Sequence, residues 1–532
     1  MRYNLSLLFL LFCITTSAQT FKRYDLINGS NSSFPFDYMV LGDRMIFFAS
    51  DTPGGEALWV TDGRDSTTLI LKPLNHINYA QEFDLPFAAT IGDKAFFLAS
   101  EDRANMELWV SDGSYNGTNR IKKIDNSSYI SSAANNIILC NSKLLFLVGN
   151  DNSQTELWVS DQTESGTKLL KTFNANPSTI SQINLLNRKA YFRLRDSSSW
   201  QLWSTDGSTG GTQLIYRQNL PINFQQGIPP LLTPVNNELF FTGIDSAHGT
   251  ELWVTNGTTF GTHIVKDLNP GPSSGMVLFH FPFNGKALFV GYDGNNSGLY
   301  SSDGTQTGTG LISVIVPAPY WPPVLCNGRL YYYGYNGQHQ SLAVTDGTTA
   351  GTYLLKDRNG NFLPQGTVAT YNNRVYLETD FSMSAIAHGL YQSDGTDTGT
   401  YLILPGKMLA SQTVTTNYGF CQFKGSLWLG GIFDNTGMEL WRITTTPATS
   451  ISSVDQNYSF SIYPNPNHGN FTIKTDIHTG IVTVYDITGR IILSADVKGN
   501  ITDLQLPAGA KGIYFIKLQS GDAISTNKIL VE

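Results

Sequence analysis

Residues Glu107–Thr118 read ELWVSDGSYNGT. An acid and a tryptophan open the stretch, Asp-Gly closes its middle, and Gly-Thr ends it. Either it is a chemical motif or it is a unit of architecture, and the fold depends on which. Copies elsewhere in the chain answer the question: ALWVTDGRDSTT from Ala57, ELWVSDQTESGT from Glu156, QLWSTDGSTGGT from Gln201, ELWVTNGTTFGT from Glu251, GLYSSDGTQTGT from Gly298, SLAVTDGTTAGT from Ser341 and GLYQSDGTDTGT from Gly389. A further copy, ELWRI from Glu439, stops after its strand. With Trp59, Trp109, Trp158, Trp203, Trp253, Tyr300, Ala343, Tyr391 and Trp441 as markers, the steps are 50, 49, 45, 50, 47, 43, 48 and 50 residues.

A period in the forties is shared by propeller blades and some helical arrays. The pattern inside each repeat separates them. Around the quoted stretch lie four short β signals: Phe87–Gly92, Lys94–Ser100, Glu107–Asp112 and Thr118–Ile124. Gly, Asn, Asp and Ser separate them, and such spacing reads as all-β. No capped helical stripe competes. The second signal is apolar almost throughout, as in AFFLAS and LLFLVG, which calls for burial on both faces. In ELWVSD, alternation puts Leu108 and Val110 on one face and Trp109 and Ser111 on the other. We therefore expect Trp59, Trp109, Trp158, Trp203, Trp253 and Trp441 to be structural residues packed against neighbouring blades. Asp112-Gly113 is expected to turn the chain. Gly117 relaxes it and Thr118 starts the next strand. A catalytic motif would not recur this often with its Trp, Glu and Gly replaced, and the ligand spacing of a calcium loop is absent.

The repeats resemble the bacterial exported proteins named for their ELWxxDGTxxGT repeats, which implies a β-propeller over Ala57 to about Ile443. That resemblance carries no catalytic residues to transfer. The last repeat lacks its fourth strand. The segment Phe21–Ser33 resembles Thr262–Ser274, a fourth strand with its loop, so the N-terminus is expected to complete the last blade and clasp the ring. The count is then nine four-stranded blades, with eight as the fallback, because propellers typically have about four to eight.

Of 532 residues only 14% are charged, the formal net charge is −8, and no basic run occurs, which excludes nucleic acid as a partner. Residues 1–18 read as a secretory signal peptide: Arg2, an apolar run from Leu5 to Thr16, and a small-residue site ending at Ala18. Bulky Phe12 before Cys13 argues against lipid attachment. No later stretch reaches the roughly 18 apolar residues of a membrane helix. Cys140, Cys326 and Cys421 remain after cleavage, an odd number at similar places in three repeats, and are read as buried thiols.

Thr444–Asn457 is a Thr/Ser/Pro linker, and the composition changes after it. YPNP, VYDITGR, LPAGAKGIYFIKL and the terminal KILVE follow in order, with about seven β signals that suggest a small Ig-like β-sandwich. These motifs resemble the type A C-terminal sorting domain of the type IX secretion system. The resemblance implies export through the periplasm to the outer surface or medium, with the secretion machinery as partner. The expected organisation is 1–18 signal peptide, 19–443 propeller, 444–457 linker and 458–532 sorting domain.

No catalytic, cofactor-binding or metal-ligating residue is assigned, because the eight His are scattered and neither a phosphate loop nor a nucleophile elbow occurs. Trp200 and Trp321 lie off the repeat lattice. Trp200 reads as part of a loop between second and third strands. Trp321 falls in VPAPYWPPV, between a fourth strand and the next first strand, a connection that should emerge on the same face. Similar connections carry Tyr79, Phe83, Tyr129, Phe224, Tyr320 and Phe362. Exposed rings there would suit a sugar or protein ligand. We take Trp200, Trp321, Tyr320, Tyr79, Tyr129 and Phe224 as the candidate ligand-binding set. The expectation is a non-catalytic secreted or surface binding or adhesion protein. The alternatives are a secreted polysaccharide hydrolase or lyase on the same scaffold, which rests on fold analogy, and a structural component of a surface assembly.

Overall fold

The structure is a computed structural model and describes residues 18–532 except 28, 30, 53–54, 77–87, 125–136, 151, 176–180, 182, 220–230, 319–322, 380–387, 407–418, 435–436, 447–459, 476–478, 487–490 and 521–522. Two compact units result, Thr20–Thr444 and a second that contains Thr445–Glu532.

Among the described residues, the first unit contains nine antiparallel sheets, seven of four strands and two with a short fifth strand. The first sheet consists of Phe36–Leu41, Arg44–Ala49, Ala57–Thr61 and Leu69–Lys72, each paired with the next in sequence. Tight hairpins join first and second strands. Asn141-Ser142, Asn284-Gly285, Asn327-Gly328 and Asn372-Asn373 all sit at positive φ, the geometry that matches strand twist and that Asn and Gly tolerate. Second strands are buried on both faces, as their apolar runs require: Leu144 to Val148 are all 0% exposed.

The inter-sheet cores form a cycle. Phe48 and Leu58 of the first sheet pack with Phe97 and Trp109 of the second. Phe96 and Leu108 meet Phe146 of the third. The chain of contacts continues through Leu145 and Phe192, Tyr191 and Phe241, Phe240 and Phe289, Leu288 and Tyr332, Tyr331 and Leu377, and Tyr376 and Leu427. Trp428 and Leu440 of the last sheet then pack with Phe47 and Trp59 of the first. Among the described residues each sheet thus packs against its two neighbours. The unit is a β-propeller.

The last sheet is completed by the N-terminus, as the sequence predicts. Ala18–Tyr24 pairs with Glu439–Thr446 as its outermost strand. Glu439 Oε2 accepts hydrogen bonds from Leu26 N at 3.0 Å and Ser33 Oγ at 2.8 Å. The seam with the first sheet is tied at one turn. Gly63 O accepts from Tyr24 Oη at 2.6 Å and Arg442 Nη1 at 3.0 Å, and Asp62 O accepts from Lys424 Nζ at 3.0 Å.

The repeated motif builds a turn in which nearly every residue has an assigned bond. In the copy at Gly298, Asp303 Oδ1 accepts from Thr305 N at 3.0 Å and Thr305 Oγ1 at 2.7 Å. Thr305 Oγ1 in turn accepts from Gly308 N at 3.0 Å. The hydroxyls of Ser302 and Thr309 meet across the turn at 2.7 Å. That hydroxyl pair recurs in eight copies at 2.6–2.8 Å. The final glycine does more than relax the chain. The Asp carboxylate lies where its Cβ would stand, at Gly117, Gly166, Gly211, Gly308, Gly351 and Gly399 alike. Asn256 substitutes for Asp with the same two bonds, to Thr258 N at 3.1 Å and Thr258 Oγ1 at 2.7 Å. The turn therefore requires an acceptor oxygen rather than a charge.

In the second unit, Phe460–Tyr463, Asn470–Thr475 and Ile501–Gln505 form one sheet. Thr479–Asp486, Ile491–Lys498, Gly512–Ser520 and Ala523–Val531 form the other. Phe471, Ile473, Val484, Ile516 and Ile529 fill a common core. The result is a small sandwich.

Candidate functional site

The candidate ligand-binding set is only partly visible. Tyr79, Tyr129, Phe224, Tyr320 and Trp321, with Phe83, lie outside the described residues. Trp200 is described, and its placement corrects the sequence reading. It belongs to the strand Ser199–Thr205, pairs with Arg195 and is only 4% exposed. The loop is shorter than DSSSW implies. Asp196 Oδ1 caps Ser198 N at 2.8 Å and Ser199 N at 2.7 Å, so the strand resumes before Trp200. Phe362 is half-buried, with His339 stacked on it at 4.2 Å and Lys356 Nζ 4.9 Å from its centre.

The ELW-position tryptophans lie at inter-sheet packing. Trp59, Trp109, Trp253 and Trp441 are buried in four of these cores, with Trp158 and Trp203 packed against two more. The residue two places earlier holds the indole in three repeats: Trp109 Nε1 donates to Glu107 Oε2 at 3.2 Å, Trp158 Nε1 to Glu156 Oε2 at 3.0 Å, and Trp203 Nε1 to Gln201 Oε1 at 2.9 Å. The motif glutamate is thus an internal acceptor. Burial raises the Glu251 and Glu439 carboxyls to about 7.

What Trp200 touches was not anticipated. Its ring faces Arg193, a residue of the strand Lys189–Arg195 that is 1% exposed. The Arg193 guanidinium carbon is 4.8 Å from the Trp200 ring centre and 4.8 Å from that of Phe241, on the fifth sheet. A guanidinium between two rings satisfies its faces by cation–π attraction. Burial alone lowers its pKa to about 9, with no carboxylate acting on it. One trace existed in the sequence: AYFRLR places a cation within a strand whose counterparts are apolar. His280, 6% exposed, lies beside this group. Thr242 Oγ1 donates to Val277 O at 3.0 Å, so it accepts from His280 Nε2 at 2.8 Å and leaves Nδ1 without a partner. Burial first, and then the Arg193 charge, hold the imidazole neutral with its pKa lowered to about 3.

Cys140 and Cys326 are buried at the ends of first strands, Cys421 is half-buried, and all three thiols are free. Among the described residues no group of three or more His, Cys, Asp or Glu is placed to hold a metal ion. No described helix is long and apolar enough to cross a membrane.

Residues 461–532 match the family described as the secretion system C-terminal sorting domain. The second unit is therefore a sorting tail of the type IX secretion kind, which engages that machinery and directs the protein to the cell surface or outside. No curated protein matches the chain. Among solved structures, a puromycin hydrolase aligns over 66% of this chain and 59% of its own, at 13% identity and a TM-score of 0.35. The chain thus spans about three-fifths of that enzyme's length. The propeller domain of the Trilobed protease from Pyrococcus furiosus aligns over 59% of this chain and 93% of its own, at 13% identity and 0.31. PorZ, a surface component of the type IX secretion system of Porphyromonas gingivalis, aligns over 96% of this chain and 100% of its own, at 9% identity and 0.21. These scores carry no argument about activity.

Proposed function

We propose that this is a non-catalytic secreted or cell-surface binding protein whose propeller presents a ligand face, and that the ligand is a glycan or a protein. The observation that carries the reading is the pairing of a propeller with a C-terminal sorting tail on one chain. On this reading the repeats are of the ELWxxDGTxxGT kind and each of the nine sheets is one blade. Residues 1–18 are removed on Sec export to the periplasm, 19–443 form the propeller, 444–457 the linker and 458–532 the sorting domain. Tyr79, Tyr129, Phe224, Tyr320 and Trp321 supply rings to the ligand face, and the buried Trp200 does not.

The test is a binding screen of the exported protein against polysaccharides and surface glycans, beside a Tyr320→Ala/Trp321→Ala variant. Binding by the parent that the variant loses, with an unchanged melting temperature, is the expected result. Equal binding by both would remove the aromatic face from the proposal, and no binding to any glycan would leave a protein ligand, sought by crosslinking on intact cells.

A further inference from the structure

We propose that the seam between the fourth and fifth sheets is a binding site for a carboxylate group, held by Arg193 together with Gln218 and Trp253. The inference is independent of the glycan-or-protein reading above.

Three buried donors in this seam have no acceptor. They are Arg193 Nη1, Gln218 Nε2 and Trp253 Nε1, on residues 1%, 6% and 6% exposed. Gln218 is the register partner of Trp200, and Trp253 is that of Phe241, so both flank the two rings that enclose Arg193. Gly243 lets the Trp253 ring and the Gln218 amide approach each other. A Cβ on it would overlap both Trp253 Cδ1 and Gln218 Nε2, so the missing side chain is the space they share. Trp253 also departs from its counterparts. Trp109, Trp158 and Trp203 spend their N–H on the residue two places earlier, whereas the Trp253 N–H does not reach Glu251.

A buried charge without a partner is strongly unfavourable, and buried donors without acceptors add to that. The rings quench the faces of the guanidinium but not its edge, where the N–H groups point. A set of donors with one positive charge excludes a cation. A neutral hydroxyl could give its proton to His280 Nδ1 but would leave the guanidinium charge unbalanced. An anion satisfies all three donors. A single negative charge balances the single positive one, and a dianion would leave excess charge among Phe241, Trp200 and Leu202. The planar fork of an arginine edge matches a planar carboxylate in a way that a spherical halide does not.

A small free acid and the carboxylate of a uronic acid offer the same group, and separate arms distinguish them. The melting temperature of the full chain is measured against sodium formate, sodium glucuronate and sodium chloride at equal ionic strength. Binding to the folded state raises it with the logarithm of ligand concentration once the site is near saturation. We expect formate to exceed chloride for the parent protein, and Arg193→Met to remove that excess. A response to glucuronate as well would indicate a sugar acid as the natural source. Gln218→Leu, which leaves the guanidinium in place, should weaken the response and serves if the methionine variant does not fold. Equal effects of formate, glucuronate and chloride on the parent would overturn the proposal. So would a formate response unchanged in both variants.

Discussion

Asp303 Oδ1 accepts the Thr305 hydroxyl at 2.7 Å, and the same contact recurs in the motif wherever Ser or Thr stands two places after the acid. An acid that recurs in copy after copy could be mistaken for chemistry. Here it is the acceptor around which a turn is wound. Asp303→Asn should leave the melting temperature nearly unchanged, because Asn256 already fills this role in its own repeat. Asp303→Ala should lower it by about 1 °C, the shift that follows from losing roughly 1 kcal/mol in a ring of this size. Equal damage by both substitutions would mean that charge, not the acceptor oxygen, is what the turn needs.

Gln162 stands where most copies have glycine, at φ +77°. A side chain in the left-handed region costs roughly 1–2 kcal/mol, and glycine avoids that steric penalty. Gln162→Gly is expected to stabilise the ring by about 1 kcal/mol. Chemical denaturation of the two proteins side by side measures it, and a destabilised variant would show that the Gln162 side chain contributes contacts outweighing the strain.

Glu251 titrates at about 7 in the folded chain against an ordinary value of 4.5. Below pH 4.5 the carboxyl is protonated in both states, and its contribution is fully present. Between pH 4.5 and 7 the unfolded chain ionises while the folded one holds its proton, so stability falls as pH rises and levels off above about 7. The span corresponds to roughly 3 kcal/mol at most. Glu251→Gln cannot ionise, so the stability of the parent relative to this variant should decline from pH 4.5 to 8. Denaturation midpoints at the two ends test this, and parallel profiles would refute it. Glu439 is raised in the same way and should behave alike.

Tyr24 closes the ring. It is 2% exposed, its ring lies 5.0 Å from that of Trp428, and its hydroxyl bonds Gly63 O at 2.6 Å. Tyr24→Ala should cost about 3–5 kcal/mol, as truncation of a buried aromatic does. It should also expose the N-terminal strand to protease before the rest of the ring opens. Loss of stability without early cleavage near the N-terminus would mean that the strand is held by its neighbours and not by this residue.

Much was legible in the sequence for a physical reason. Strand alternation, Asp-Gly turns and apolar second strands are local signals, and repetition multiplied each of them along the chain. The clasp was legible too, since a repeat missing its fourth strand at one end and a spare strand at the other are complementary. The tail was recognisable from motifs in fixed order. Tertiary structure decided what local pattern could not. It placed Trp200 in a strand because the Asp196 side chain tightened the turn before it. It set the final glycine of six turns against a carboxylate five residues earlier in sequence. It also enclosed Arg193 between rings from two different sheets. The first two are side-chain contacts inside a single turn, which strand periodicity does not register; the last depends on which side chains meet across two packed sheets, and that is governed by closure of the ring rather than by the run of residues within any one repeat.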